Sequence, residues 1–146
     1  MELTPVQKPH PPLWAGVNSP QSAIPPAKRG MNIVMNSPVG MARKSIEAYV
    51  AAFRETFGSN AALPRMGIAR MIFVGETEAQ AHSAAGRAYA SFYQSACSLY
   101  RRFATLPAIF PPEYETIRSS GVMIAGTADQ VRLEVAKQLR ESGARG

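Results

Sequence analysis

Cysteine and histidine are scarce in this chain of 146 residues, which holds one cysteine, Cys97, and two histidines, His10 and His82. A single cysteine excludes an internal disulfide and is typical of a reducing compartment. The histidines are far apart and neither has metal-ligand spacing such as HExxH, so we predict no metal site. Cys97 lies beside Ala96 and three residues before Tyr100, a pattern that favours helix packing over catalysis.

Long hydrophobic runs are also missing. No apolar run approaches the ~18 residues that cross a bilayer. Residues 1–12 carry charge and four prolines, and they lack the apolar core of a signal peptide. We therefore expect no membrane association and a cytoplasmic location. The chain also falls short of the roughly 250 residues of a closed eight-stranded β/α barrel, and we expect one domain at most.

Acidic residues are the minority, since the formal net charge is +6. A basic face would bind nucleic acid by releasing counterions from phosphates. Here, however, most of the predicted helices carry both signs of charge, and only Lys28-Arg29 and Arg101-Arg102 are unbalanced pairs. No pattern of interleaved aromatic and basic residues appears. The charges therefore indicate solvated helix faces, and we predict no nucleic-acid partner.

Three apolar runs predict strands, at residues 13–17, 31–35 and 66–74. Runs of this kind, without polar alternation, are typical of strands buried on both faces of a parallel sheet. A short helical stretch ending at Gly30 separates the first two runs, and an amphipathic helix that closes at Gly58 follows the second. The chain thus predicts an α/β fold with about three parallel strands joined by helices.

The second half of the chain contains two capping-box sequences. Thr77-Glu78-Ala79-Gln80 opens a helix that continues to about Tyr100, and residues 126–130 open a final helix that ends at Gly143. Between these helices we predict a proline-broken loop at 106–112, a short helix at 113–119 and an extended run at 121–125. No partnered acid or base accompanies the glutamates of the short helix, so carboxylate catalysis is not predicted.

The turn at residues 18–22, Asn-Ser-Pro-Gln-Ser, is the candidate binding segment. In parallel β/α folds ligands bind where loops leave the carboxyl ends of the strands. A helix N-terminus there offers unpaired N–H groups and partial positive charge, so Ser19 and Ser22 would hold a phosphate by hydroxyl and backbone donors. The alternative is that both serines only cap the helix. The residues alone do not decide between phosphate binding and capping.

Two prolines bear on which serine caps the helix. If Ser19 were the N-cap, Pro25-Pro26 would fall in the helix interior, whereas a cap at Ser22 places this pair in the third and fourth positions. We therefore predict Ser22 as the N-cap. Because this choice leaves fewer backbone donors for an anion, Lys28-Arg29 becomes a further candidate.

Residues 7–22, QKPHPPLWAGVNSPQS, together with Ala27-Lys28-Arg29-Gly30, resemble the bacterial luciferase-like family of flavin-dependent monooxygenases. Residues 70–81 resemble that family's strand and following helix start, and residues 126–131 resemble its GTPxxV segment. The resemblance implies that residues 1–146 form the C-terminal part of a TIM-type (β/α)8 barrel. Residues 1–12 would be an extended lead-in, and the N-terminal half would be missing or supplied by another chain.

The resemblance also implies a function. Family members bind reduced FMN or, in some branches, the deazaflavin F420. They act on a small organic substrate, use molecular oxygen in the monooxygenase branches, and are usually dimeric. By position, Asn18, Ser19 and Ser22 would contact the flavin phosphate, and no catalytic residue is assigned. The competing hypothesis is a non-catalytic remnant or subunit, a packing module that another chain completes.

Three further residues have positions that bear on this site. Met35 and Asn36, at the end of the second predicted strand, are expected at the same mouth, without an assigned role. Trp14 is a candidate for stacking on the flavin, although its place inside a predicted strand favours a core or barrel-wall position.

Overall fold

A computed structural model describes residues 6–103 and 110–145. The chain forms two compact units, one from Met1–Ile68 with Glu141–Gly146 and the other from Ala69–Arg140. Within the described residues, no helix combines the length and the apolar character that a membrane span requires.

The first unit is a three-stranded parallel sheet with two helices. Its elements are β1 (Trp14–Gly16), α1 (Pro20–Ala27), β2 (Asn32–Met35), α2 (Val39–Phe57) and β3 (Met66–Ile68). The strand order is β1-β2-β3, with Gly16 opposite Val34 and Met35 opposite Ile68. The predicted strand-helix-strand unit and the helix ending before Gly58 are confirmed.

The second unit pairs two strands in parallel and packs helices on them. Its elements are β4 (Met71–Val74), α3 (Glu78–Arg102), α4 (Tyr114–Ser119), β5 (Met123–Gly126) and α5 (Ala128–Ser142). Both predicted capping boxes open helices, because the Thr77 and Thr127 hydroxyls accept hydrogen bonds from the Gln80 and Gln130 backbone N–H groups (3.2 and 3.4 Å). Most of the predicted loop at 106–112 lies outside the described residues.

The prediction of one strand at residues 66–74 is wrong. This segment forms two strands, β3 and β4, which belong to different sheets. The interruption lies at Ala69 and Arg70. The Arg70 guanidinium donates hydrogen bonds to the Ala69 carbonyl oxygen (2.7 Å) and to the side-chain oxygen of Gln138 (2.6 Å). With β5 formed from the extended run, the described residues contain five strands instead of about three. The α/β class with parallel strands is confirmed, and within the described part of the chain neither sheet closes into a barrel.

The core of the first unit lies between its sheet and its two helices. Tyr49 of α2 is completely buried, stacks on Phe53 with ring centroids 6.2 Å apart, and donates a hydrogen bond to the Met31 carbonyl oxygen (2.5 Å). Ile33 and Met35 of β2 are buried in the same cluster. The apolar stripe of α2 therefore anchors the helix layer to the sheet.

Ser45 of α2 carries a buried hydroxyl that has no hydrogen-bond partner among the described residues, and the side chain is 1% exposed. Burying an unpaired polar group costs free energy, and alanine is also the better helix former. We expect Ser45→Ala to raise the free energy of unfolding by about 1 kcal/mol, as measured by urea denaturation. A loss of stability would contradict this expectation.

Gly75 follows β4 and lies against the first turn of α3. A Cβ at this position would lie 2.9 Å from the Ala81 nitrogen and 3.0 Å from the Thr77 carbonyl oxygen, which are backbone atoms that cannot rotate away. We expect Gly75→Ala to lower the free energy of unfolding by about 1–3 kcal/mol. Gly16→Ala is the control, because a Cβ there meets no atom within 4 Å. Equal losses in the two variants in urea denaturation would contradict the steric explanation.

Candidate functional site

The candidate site lies at the carboxyl edge of the three-stranded sheet, where β1 and β2 lead into helices. The two strands are adjacent, and the Val17 N–H still donates to the Val34 carbonyl oxygen (3.0 Å) beyond the end of β1. The tripeptide Asn-Ser-Pro follows each strand, at residues 18–20 and again at 36–38. Sequence alone predicts a turn at the second copy without a binding role, although the exact repetition of the tripeptide is a signal that could have indicated one.

Ser19, and not Ser22, is the N-cap of α1. Ser19 has extended backbone (φ −153°, ψ 161°) and its Oγ accepts a hydrogen bond from the Ser22 N–H (3.2 Å). In return, the Ser22 Oγ accepts hydrogen bonds from the Ser19 N–H (3.0 Å) and the Asn18 N–H (3.1 Å). The two serines form a capping box with Pro20 in the first helical position, where its missing N–H costs nothing.

The prediction of Ser22 as the N-cap is therefore wrong, because it gave too much weight to the cost of Pro25-Pro26. Both prolines do lie inside α1, but the helix has only eight residues. The Ile24 carbonyl oxygen accepts from the Lys28 N–H, and the Pro26 carbonyl oxygen accepts from the Arg29 N–H, both at 3.1 Å. The chain thus loses few helical hydrogen bonds to the prolines.

This geometry separates the roles of the two serines. The Ser22 hydroxyl also donates to the Ser19 carbonyl oxygen (2.9 Å), so its single hydrogen is engaged inside the turn. The Ser19 hydroxyl donates only a long bond, 3.2 Å, to the Ser22 Oγ. Among the described residues no partner is found for the Gln21 N–H or for the exposed Asn18 side chain. Donors remain at Asn18, Ser19 and Gln21, whereas Ser22 holds the turn in place.

The N-terminus of α2 offers a second set of donors at the same edge. Its N-cap, Pro38, provides no side-chain cap, and its carbonyl oxygen accepts from the Met41 and Ala42 N–H groups (3.0 and 2.9 Å). Within the described part of the chain, the Val39 and Gly40 N–H groups have no partner. The buried Ser37 Oγ likewise has none among the described residues. Unlike α1, this helix begins with uncapped N–H groups.

The basic pair Lys28-Arg29 lies away from this site. It follows the C-terminus of α1, which runs back from the carboxyl edge of the sheet toward the amino edge. There Arg29 lines a groove of about 450 Å³ together with His10, Leu13 and Asn32. The prediction that Lys28-Arg29 assists anion binding at the turn is wrong, because the helix separates the pair from the turn.

Met35 does not reach the mouth of the site. It is 2% exposed and packs in the core of the first unit. Side chains alternate along a strand, so Met35 lies on the same helix-covered face as Ile33. Of the two residues predicted at the mouth, Asn36 is the one that lies at the carboxyl edge of the sheet. Trp14 is 49% exposed. Its ring lies outside the buried core and beside Gly67, 3.7 Å from the point where the Cβ of an alanine at that position would stand.

In the second unit, the polar side chains where the helices start pair with one another. Gln130 donates to Glu78 (3.0 Å), and this hydrogen bond, assisted by the nearby His82, lowers the pKa of Glu78. His82 shares a hydrogen bond with the Tyr114 hydroxyl (2.7 Å). The described residues include no cluster of three or more His, Cys, Asp or Glu side chains arranged to hold a metal ion.

Comparison with known proteins extends these observations. Residues 2–146 match the luciferase-like monooxygenase family. The uncharacterized protein y4wF of Sinorhizobium fredii is 32% identical over 143 residues, which cover 97% of this chain and 42% of that protein. This chain therefore spans less than half the length of that relative.

Solved structures of monooxygenases share the fold at low sequence identity. One is the oxygenating constituent of 3,6-diketocamphane monooxygenase from Pseudomonas putida in complex with FMN (18% identity, TM-score 0.65, 91% of this chain and 39% of that chain). Another is the monooxygenase RslO1 from Streptomyces bottropensis (17% identity, TM-score 0.72, 94% and 40%). With the family matched over nearly all of its length, the chain belongs to the luciferase-like monooxygenase family.

Proposed function

We propose that this chain contributes the flavin-phosphate-binding wall of a luciferase-like, flavin-dependent monooxygenase. The observation that carries the proposal is the β1–α1 turn (residues 18–22), which places free donors at the carboxyl edge of a parallel sheet. Ligands bind at this edge in β/α folds. FMN is favoured over F420 because FMN is the flavin bound to the Pseudomonas putida monooxygenase.

Each residue of the turn has a distinct part in the proposal. The Ser19 hydroxyl turns from its long bond with Ser22 toward a phosphate oxygen, where a charge-assisted bond is stronger. The Gln21 N–H and the Asn18 amide donate beside it, while Ser22 keeps the turn in shape. The uncapped N-terminus of α2 adds N–H donors and a partial positive charge.

These residues bind and orient the cofactor. When bound, the reduced flavin supplies the redox chemistry with oxygen and a small organic substrate. We assign residues 1–146 to the C-terminal part of a (β/α)8 barrel. The remaining part of the fold, which the relatives possess, contributes most of the substrate pocket, and the complete enzyme is a homo-oligomer.

A second candidate function is a packing module that binds no flavin. The mutual hydrogen bonds of Ser19 and Ser22 favour it, because a complete capping box needs no ligand. Among the described residues one edge of β1 has no strand partner, and Trp14 is half-exposed; both also favour it, because a further polypeptide would cover them. The two candidates differ in whether the turn binds phosphate.

Titration of the protein with FMN, followed by flavin fluorescence, separates them. We expect Ser19→Ala to weaken FMN binding about tenfold, the loss of one hydrogen bond to a charged group. Thr77→Ala is the matched control, since it removes the equivalent capping hydroxyl from α3. Unchanged FMN affinity in Ser19→Ala, or no FMN binding by the parent protein, would favour the packing module.

A further inference from the structure

We propose that a second anion site, for an organic phosphate monoester, lies at the amino edge of the three-stranded sheet. The site is a cavity of about 330 Å³, here called the arginine cavity, which is lined by Arg54, Ala61, Leu63, Pro64, Arg65 and Arg145. Three of its six lining residues are arginines. They come from distant parts of the sequence, so that only the fold brings them together.

The backbone brings these three solvent-exposed arginines to one cavity. Arg54 lies in the last turn of α2, and Arg65 immediately precedes β3. Arg145 is tied to the neighbouring Met66 by two backbone hydrogen bonds, of 2.9 and 3.0 Å. All of these elements belong to the same compact unit. The cavity therefore does not depend on the arrangement of the two units.

In the described part of the chain, no acidic side chain balances the charges of the cavity. Among the described residues no aspartate or glutamate lines the cavity. Other basic side chains, such as Arg43 and Arg118, form ion pairs with neighbouring acids. None of the three arginine side chains of the cavity takes part in an ion pair or side-chain hydrogen bond that the structure describes. Like charges held in one concavity repel each other. Solvent screens this repulsion at exposed side chains, and a bound anion lowers it further, which favours an anionic ligand.

The lining also indicates the class of anion. Guanidinium groups present planar, forked donors that match phosphate oxygens. Ala61, Leu63 and Pro64 form an apolar wall beside the arginines, suited to the organic part of a monoester. A volume of about 330 Å³ lies in the range of small-molecule pockets, roughly 300–1,000 Å³. The site is distinct from the β1–α1 turn, because Arg65 immediately precedes β3, at the edge opposite the one where β1 ends.

Isothermal titration calorimetry with inorganic phosphate and phenyl phosphate tests the proposal. We expect both anions to bind, and phenyl phosphate to bind more tightly because of the apolar wall. Arg54→Gln should weaken binding about tenfold, and Arg54→Gln with Arg145→Gln should weaken it further. The matched control, Lys44→Gln, removes one charge from the same helix away from the cavity and should change affinity less than twofold. Circular dichroism checks that each variant is folded.

Equal losses in Arg54→Gln and Lys44→Gln would overturn the proposal, since only net charge would then matter. Absence of phosphate binding by the parent protein would also overturn it. The result is independent of the proposed flavin site. Ser19→Ala should leave unchanged the phenyl phosphate binding that Arg54→Gln weakens, because phosphate bound at the β1–α1 turn occupies a separate site. Failure of either proposal is therefore seen separately.

Discussion

Tyr49→Ala is expected to lower the free energy of unfolding by about 3–5 kcal/mol, the usual cost of deleting a buried aromatic side chain. Tyr49 is fully buried between α2 and the sheet, and its ring stacks on Phe53. The substitution leaves a cavity in the core and an unpaired carbonyl oxygen at Met31. Urea denaturation followed by far-ultraviolet circular dichroism measures the loss.

Tyr49→Phe separates packing from hydrogen bonding at this position. It retains the ring but leaves the Met31 carbonyl oxygen without its donor, which should cost about 1–3 kcal/mol. If Tyr49→Ala destabilised the protein no more than Tyr49→Phe, the ring would contribute nothing, and the assignment of Tyr49 to the core would be contradicted.

Ser19→Asp is expected to weaken FMN binding about a hundredfold or more without destabilising the protein. Aspartate is as good an N-cap as serine, and its charge is favourable at a helix N-terminus. The same charge would repel the flavin phosphate. At about 5 Å and an effective dielectric constant of about 20, one pair of like charges costs roughly 3 kcal/mol. Fluorescence titration and urea denaturation of the same preparation measure the two effects.

The corresponding control is Thr77→Asp, which places a carboxylate at the start of α3. We expect it to leave FMN affinity unchanged. A Ser19→Asp variant that binds FMN as tightly as the parent protein would exclude the β1–α1 turn from the phosphate site. A variant that lost helix stability would contradict the assignment of Ser19 as the N-cap.

The sequence predicts the parts of this fold that local signals determine. The apolar stripe through Ile46 and Phe53 defines α2, and Gly58 marks its end. The Thr77 and Thr127 capping boxes mark the starts of α3 and α5, because the bonds they make span only three residues. The α/β class follows from these elements, since strands joined by helices pair in parallel.

The remaining features depend on contacts between distant residues. The split between β3 and β4 involves Arg70 and Gln138, which no local pattern connects. The choice of Ser19 as N-cap depends on the reciprocal bonds with Ser22 and on the short length of α1, which outweigh the proline penalty. The arginine cavity brings Arg54 and Arg145 together only after the chain has folded.

The most direct test of the central claim compares the affinities of the protein for FMN and for riboflavin, which has the same ring system but no phosphate. If the β1–α1 turn binds the flavin phosphate, FMN binds at least tenfold more tightly than riboflavin, because at least one hydrogen bond to a charged group is lost. Ser19→Asp should then weaken FMN binding and leave riboflavin binding unchanged. Equal affinities of the parent protein for FMN and riboflavin would contradict the claim.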